Sequence, residues 1–304
     1  MLNKDLLGLK DVDGSVIEQI LDRGNYFREE LEKGHKHFDS LTGKSITTLF
    51  YENSTRTMTS FSNAGKFLGA TVANLSVNFS SVKKGESLID TGETLDALKT
   101  DLIIIRHSVS GAPKMLADNV KARVINAGDG MHEHPTQALL DMLTLKRRFG
   151  KIEGLTVAIV GDVKHSRVAR SNIYGLTAMG ANIRLFSPYT LRAAEIDKTG
   201  NARVCDDLYE AIKGADAIMG LRIQLERQQQ GLFPSLSEYF KYYGVKASDI
   251  KDMTDTIIMH PGPVNRNVEL AADVIDGQNS LILEQVSNGL AVRMAVLELM
   301  LKEN

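Results

Sequence analysis

Short runs of β-branched and aliphatic residues alternate along this chain with stretches whose apolar residues recur every three or four positions. The runs Ser45–Phe50, Thr71–Leu75, Leu102–Ile105 and Arg123–Asn126 predict four strands. Thr156–Val160, Asn182–Phe186, Ala217–Leu221 and Thr256–Met259 predict four more. Helical spacing covers Ser87–Lys99, Pro135–Arg148, Arg167–Met179 and Val286–Leu301. Strands that are nearly continuous in apolar residues and spaced by helices belong to parallel sheets buried on both faces. The pattern therefore predicts an α/β protein of two doubly wound parallel-sheet domains. The charged run Lys146-Arg147-Arg148-Phe149-Gly150-Lys151 marks the boundary, giving domains of 1–145 and 146–285. No internal repeat or low-complexity tract interrupts the pattern.

Composition narrows the class of partner. The chain has 304 residues, 43% hydrophobic and 24% charged, which is ordinary for a globular protein with a full core. A net charge of −2 exerts no global pull towards nucleic acid or an anionic membrane. Cys205, the single cysteine, excludes an internal disulfide and a cysteine-based zinc cage. The N-terminus carries no signal-peptide pattern, and no apolar run reaches transmembrane length. A cytoplasmic protein is expected.

Ligands of open α/β sheets bind beyond the carboxyl ends of strands. At those ends this chain places Arg106 and His107, Gly128-Asp129-Gly130 before His132-Glu133-His134-Pro135-Thr136-Gln137, Gly161-Asp162 before His165-Ser166-Arg167, Arg222 and Gln224, and His260-Pro261-Gly262-Pro263. Cations at five of these eight strand ends predict a site for anions. After the first strand come Ser54-Thr55-Arg56-Thr57 and then Met58, Phe61, Ala64 and Leu68 at helical spacing. Hydroxyls and a guanidinium in the first turn of a helix, where backbone N–H groups are unpaired, suit a phosphate. The same run also suits a plain N-cap with Arg56 solvated, and residues alone leave both readings open. His132 and His134 lack metal-ligand spacing, and neither a G-x-G-x-x-G turn nor a P-loop is present, so no metal or cofactor is expected. Lys83-Lys84-Gly85-Glu86, beside Ser80 and Ser81, reads either as a surface loop or as a lid that brings a lysine to an anion.

Ser54-Thr55-Arg56-Thr57, His134-Pro135-Thr136-Gln137 and His260-Pro261-Gly262-Pro263, in this order and spacing, resemble the aspartate/ornithine carbamoyltransferase family over nearly the whole chain. Ser80 with Lys83-Lys84-Gly85-Glu86, and Arg222-Ile223-Gln224-Leu225-Glu226-Arg227, are similar to the mobile loop and the acceptor-binding loop of its aspartate-using members. The His-Cys-Leu-Pro motif of its ornithine-using members is missing. The resemblance implies an active site in the cleft between the two domains, with residues 1–145 binding carbamoyl phosphate and residues 146–285 binding L-aspartate. A C-terminal helix over 286–304 would pack back on the first domain. Ser54, Thr55, Arg56 and Thr57 would hold the phosphate. Arg106 would bridge phosphate and carbonyl, and Thr57 and His134 would join it in polarising that carbonyl. Gln137 and Gly262, with Pro263 beside it, would orient the carbamoyl amide. Lys84, Arg167, Arg222 and Gln224 would hold the aspartate carboxylates, with Ser80 and Lys84 supplied by a neighbouring subunit of a homotrimer.

The reaction so implied makes N-carbamoyl-L-aspartate and phosphate in de novo pyrimidine biosynthesis. A separate regulatory chain or a dihydroorotase would be compatible partners. Glu133 and Met58 depart from the family's commoner residues, glutamine and a basic residue. Two other functions remain: a carbamoyltransferase for another amine such as ornithine, whose cationic side chain would face Lys84, Arg167 and Arg222, and a catalytically silent scaffold, which would be free to lose these residues.

Overall fold

A computed structural model describes residues 4–76, 86–192, 201–224 and 235–302. The chain divides into two compact units. One runs to Leu143 and takes in the chain from Ser287 onward; the other is Thr144–Val286.

The first unit is built on β1 (Ser45–Phe50), β2 (Thr71–Ser76), β3 (Leu102–His107) and β4 (Arg123–Asp129), paired in parallel in the order β2-β1-β3-β4. Ile103, Ile104 and Ile105 are fully buried at its centre. Burial of each side chain contributes roughly 1.5–3 kcal/mol. Helix α1 (Gly14–Glu32) starts at Asp13, whose side chain accepts the Ser15 N–H, and buries Ile17, Ile20, Leu21 and Phe27. Helix α2 (Thr55–Phe67) follows β1, α3 (Leu88–Ala97) is held by a Ser87–Asp90 capping box, and α4 (Ala112–Ala117) joins β3 to β4. Helix α5 (Pro135–Phe149) then leaves this unit. Chain order reverses direction across the sheet between β1 and β3, so the crevice at their carboxyl ends is the topological switch point.

The second unit carries β5 (Thr156–Gly161), β6 (Asn182–Phe186), β7 (Ala202–Val204), β8 (Ala217–Leu221) and β9 (Ile257–Met259), all parallel in the order β7-β6-β5-β8-β9. Its switch point lies between β5 and β8. Helices α6 (Arg167–Ala178), α7 (Leu208–Ile212), α8 (Leu236–Tyr243), α9 (Ala247–Ile250) and α10 (Ala272–Ile275) complete its described part. Helix α11 (Ile282–Leu301) begins in the second unit and ends in the first.

The sequence reading counted four strands in this sheet, and the structure adds a fifth. Strand β7 has three residues, none of them buried, with Arg203 in the middle. Such an edge strand offers no apolar run to detect. Lys146, Arg147 and Arg148 form the last turn of α5, where cations complement the helix dipole.

Candidate active site

Strand β1 ends in the buried Phe50, and the chain turns through Ser54 into α2. Ser54 has the extended φ of an N-cap, −157°, but its hydroxyl caps no backbone N–H; it donates instead to Thr57 Oγ1 at 2.9 Å. The first-turn N–H groups are therefore not satisfied by the cap residue, which favours the anion reading over the plain N-cap. Thr57 is buried, whereas Thr55 and Arg56 are exposed at the helix start. Partial desolvation holds the Arg56 guanidinium below the ordinary arginine value.

Across the switch point, Phe50 pairs with Arg106 at the end of β3. Arg106 Nη2 meets Glu52 Oε1 at 2.9 Å, and Nη1 donates to the Ala127 carbonyl at 3.3 Å. A third guanidinium comes from far away in sequence. Arg293 on α11 is 5% exposed; its Nη1 donates to Ser60 Oγ at 2.9 Å, and its head lies 5.1 Å over the Phe61 ring. Its Nη1 would stand 2.7 Å from a Cβ at position 289, so Gly289 leaves the room that its head occupies. Burial first, then the charge of Arg106, push Arg293 down to about 10, against a raising effect of Asp141; Arg56 adds a further lowering. The charges of Arg106 and Arg56 both act on Arg293, a repulsion that an anion bound among them would relieve.

His134 and Gln137 stand at the start of α5, both buried. The His134 carbonyl accepts the Gln137 and Ala138 N–H groups at 3.0 and 3.3 Å. The turn before them is tied by Asp129, which accepts from Gly111 N–H at 2.7 Å, Asn126 Nδ2 at 2.7 Å and Glu133 N–H at 3.1 Å. Burial works to raise the Asp129 pKa, but these bonds, with His132 facing it at 3.1 Å, hold it below the usual aspartate value. Glu133 is buried and accepts the Leu9 N–H at 2.7 Å, which anchors the N-terminal segment and gives this departure from the family pattern a structural role.

In the second unit Gly161 pairs with Leu221 across the switch point. Its φ of +131° and the Leu221 carbonyl 2.4 Å from a hypothetical Cβ demand glycine there. The next residue, Asp162, is fully buried and ties both strand ends together. Its Oδ1 meets His165 Nδ1 at 2.8 Å, and its Oδ2 accepts the Gln224 N–H at 3.2 Å. Arg222 Nη2 donates to Gln224 Oε1 at 3.1 Å, so these two predicted ligands stand together. Arg167 opens α6 behind the Ser166 cap and is 3% exposed.

After β9, His260 Nδ1 accepts the Gly262 N–H at 2.8 Å. Nδ1 is therefore the acceptor, so Nε2 donates, and it meets Glu269 Oε1 at 3.0 Å. This neutral tautomer fixes the loop that carries Gly262 and Pro263, joined by a cis peptide.

Ser80, Lys83, Lys84 and Leu225-Glu226-Arg227 lie outside the described residues. Among the described residues no group of three or more His, Cys, Asp and Glu could hold a metal ion. Sequence reasoning missed Arg293, Glu52 and Asp141. The available signal was a charge inside an apolar helical run, Leu139-Leu140-Asp141-Met142-Leu143 and Ala291-Val292-Arg293-Met294-Ala295.

Comparison with known proteins gives two family matches. Residues 4–147 match the aspartate/ornithine carbamoyltransferase carbamoyl-P binding domain, and residues 153–300 match the Asp/Orn binding domain of the same family. The chain is 55% identical over 299 residues to the aspartate carbamoyltransferase catalytic subunit of Ruminiclostridium cellulolyticum, covering 98% of this chain and 95% of that one. The catalytic subunit of M. jannaschii aspartate transcarbamoylase is similar in structure, with a TM-score of 0.87, 35% identity and 99% of each chain covered. Ornithine carbamoyltransferase from Thermus thermophilus superposes equally well, with a TM-score of 0.88 over 99% of this chain and 100% of that one, but at 27% identity.

Proposed function

The chain belongs to the aspartate/ornithine carbamoyltransferase family, and from that premise we propose that it carbamoylates L-aspartate. The α-amine of aspartate attacks the carbonyl carbon of carbamoyl phosphate. The new C–N bond forms, the C–O bond to phosphate breaks, and the amine proton leaves with the phosphate. The products are N-carbamoyl-L-aspartate and phosphate, as de novo pyrimidine biosynthesis requires. One observation carries the reading: Arg56 in an uncapped helix start and Arg106 at a paired strand end share one switch point, with His134 at the head of α5 in the same unit.

In this reading Ser54, Thr55, Arg56 and Thr57 hold the leaving phosphate. Arg106, Thr57 and His134 stabilise the oxygen that gains charge in the tetrahedral state; each such donor lowers the barrier by about 3 kcal/mol. Gln137 and Gly262, with Pro263 beside it, orient the carbamoyl amide. Arg167, Arg222, Gln224 and Lys84 bind the two carboxylates of aspartate. The reaction uses no side-chain nucleophile, cofactor or metal. Residues 1–145 with 286–304 serve carbamoyl phosphate and residues 146–285 serve aspartate. Ser80 and Lys84 come from a neighbouring subunit of a homotrimer in the cytoplasm. The 55% identity to an aspartate-named catalytic subunit, against 27% to an ornithine-named enzyme, supports aspartate over ornithine as acceptor. The test is an initial-rate assay with carbamoyl phosphate and L-aspartate. The reading expects N-carbamoyl-L-aspartate and phosphate in equal amounts; phosphate release without the carbamoylated product would refute it.

A further inference from the structure

Helix α5 buries a carboxylate in an apolar setting. Asp141 is fully buried, with the buried Leu139, Leu140, Met142 and Leu143 as its chain neighbours. Burying a carboxylate is costly unless it is paired or hydrogen-bonded. Gln137 and Arg293 both contribute to the compensation. Asp141 Oδ1 accepts a hydrogen bond from Gln137 Nε2, one helical turn earlier, at 3.0 Å. Arg293, itself 5% exposed, supplies the opposite charge close enough for Asp141 to stabilise its charged form.

A carboxylate kept ionised can only accept hydrogen bonds, so the end of the Gln137 amide that faces it must be the NH₂. The carbonyl oxygen, Oε1, is thereby turned to the other side. We propose that Asp141 is a positioning residue that locks the Gln137 amide so that its carbonyl oxygen, and not its NH₂, is presented to the substrate. The acceptor so displayed recognises an N–H donor, which carbamoyl phosphate has on its carbonyl carbon. Acetyl phosphate, with a methyl group in that place, has none. The pair Asp141–Gln137 then reads the one group that separates a carbamoyl phosphate from other small acyl phosphates, while Arg293 keeps the reader charged. The inference rests on the functional reading above and assigns Asp141 and Arg293 a part in it.

Calorimetric titration of the full chain with carbamoyl phosphate and with acetyl phosphate tests it. Asp141→Asn keeps the shape but can donate or accept, so Gln137 can turn either way. Expected is a loss of about tenfold or more for carbamoyl phosphate and less than twofold for acetyl phosphate. Gln137→Ala should show the same selective loss, and the double variant should bind no worse than Gln137→Ala alone. Equal losses for both ligands, or full additivity in the double variant, would overturn the proposal. If Asp141→Asn does not fold, Gln137→Glu decides: it sets two carboxylates near 3.0 Å apart, so one holds its proton to a raised pKa. With both carboxylates ionised the pair repels and no longer holds the acceptor in place, so carbamoyl phosphate binding by that variant should fall relative to acetyl phosphate as pH rises through that value; an equal fall for both ligands, or none, would overturn the proposal. Wild-type protein that bound neither ligand would overturn the functional reading and, with it, this inference.

Discussion

Replacing Arg56 by alanine removes a guanidinium from the first turn of α2, and its effects on fold and on catalysis should separate widely. The side chain is exposed and sits at the positive end of a helix dipole, where a cation is unfavourable. It also adds to the positive field at the buried Arg293. Its loss should therefore change stability by no more than about 0.5 kcal/mol, and the change should be towards greater stability. The catalytic cost is set by what the group does as the phosphate leaves. One preorganised donor to developing charge contributes about 2.7–4 kcal/mol, or roughly 10²–10³ in rate. A guanidinium presents two N–H groups in a planar fork, so the expected loss in kcat is at least about 10³-fold. Charge on the bridging oxygen grows as its bond to carbon breaks, so the loss should fall on kcat more than on KM. Arg56→Lys keeps the charge but not the fork and should recover less than a tenth of the lost rate. Phosphate release at saturating substrates, alongside urea unfolding, measures both quantities. A kcat reduced less than tenfold in a protein of unchanged stability would refute the phosphate assignment of this turn.

Three further predictions test other parts of the account. Gly161→Ala must absorb a φ of +131° and a 2.4 Å approach to the Leu221 carbonyl; it should lower unfolding stability by about 2–4 kcal/mol in urea titrations and raise the KM for aspartate. Asp129→Asn should cost about 2 kcal/mol at neutral pH, because it removes an ionised acceptor of several buried bonds. The folded pKa of Asp129 lies below the unfolded value of about 3.9, so its contribution is fully present above that value and is lost as pH falls through the folded one. The gap between wild type and Asp129→Asn in urea midpoint should thus narrow as pH falls below about 4; a gap that did not narrow would contradict this assignment. Lys84→Ala and Arg106→Ala proteins, each inactive, should regain part of the activity when mixed and allowed to exchange subunits; no recovery after proven exchange would count against shared sites in a trimer.

The strand plan was legible because central parallel strands such as Leu102–Ile105 and Val157–Val160 are buried on both faces and leave no polar position to blur the run. Strand β7 was hidden for the opposite reason: an edge strand needs little apolar surface. The proposed ligands Arg106 in the first unit and Arg167 and Arg222 in the second could be picked out because ligands of open α/β sheets bind beyond strand ends whatever the side-chain packing. Asp141 and Arg293 could not be placed in this way. Each looks like one charge within an apolar helix, and their common purpose appears only when α5 and α11 bring residues 141 and 293 into electrostatic reach. Glu133 stands out in the sequence only as a departure from the family's commoner glutamine, whereas in the structure its carboxylate accepts the Leu9 N–H. Motif reading sees the residue type but not the backbone donor that satisfies it.

The acceptor is the most exposed part of the account, since the fold is shared almost equally with an ornithine-named enzyme. Measuring kcat/KM with carbamoyl phosphate and either L-aspartate or L-ornithine as the amine tests it most directly. Arg167 and Arg222, with Lys84, predict turnover with L-aspartate and none measurable with L-ornithine; comparable rates for the two amines, or a preference for ornithine, would contradict the account.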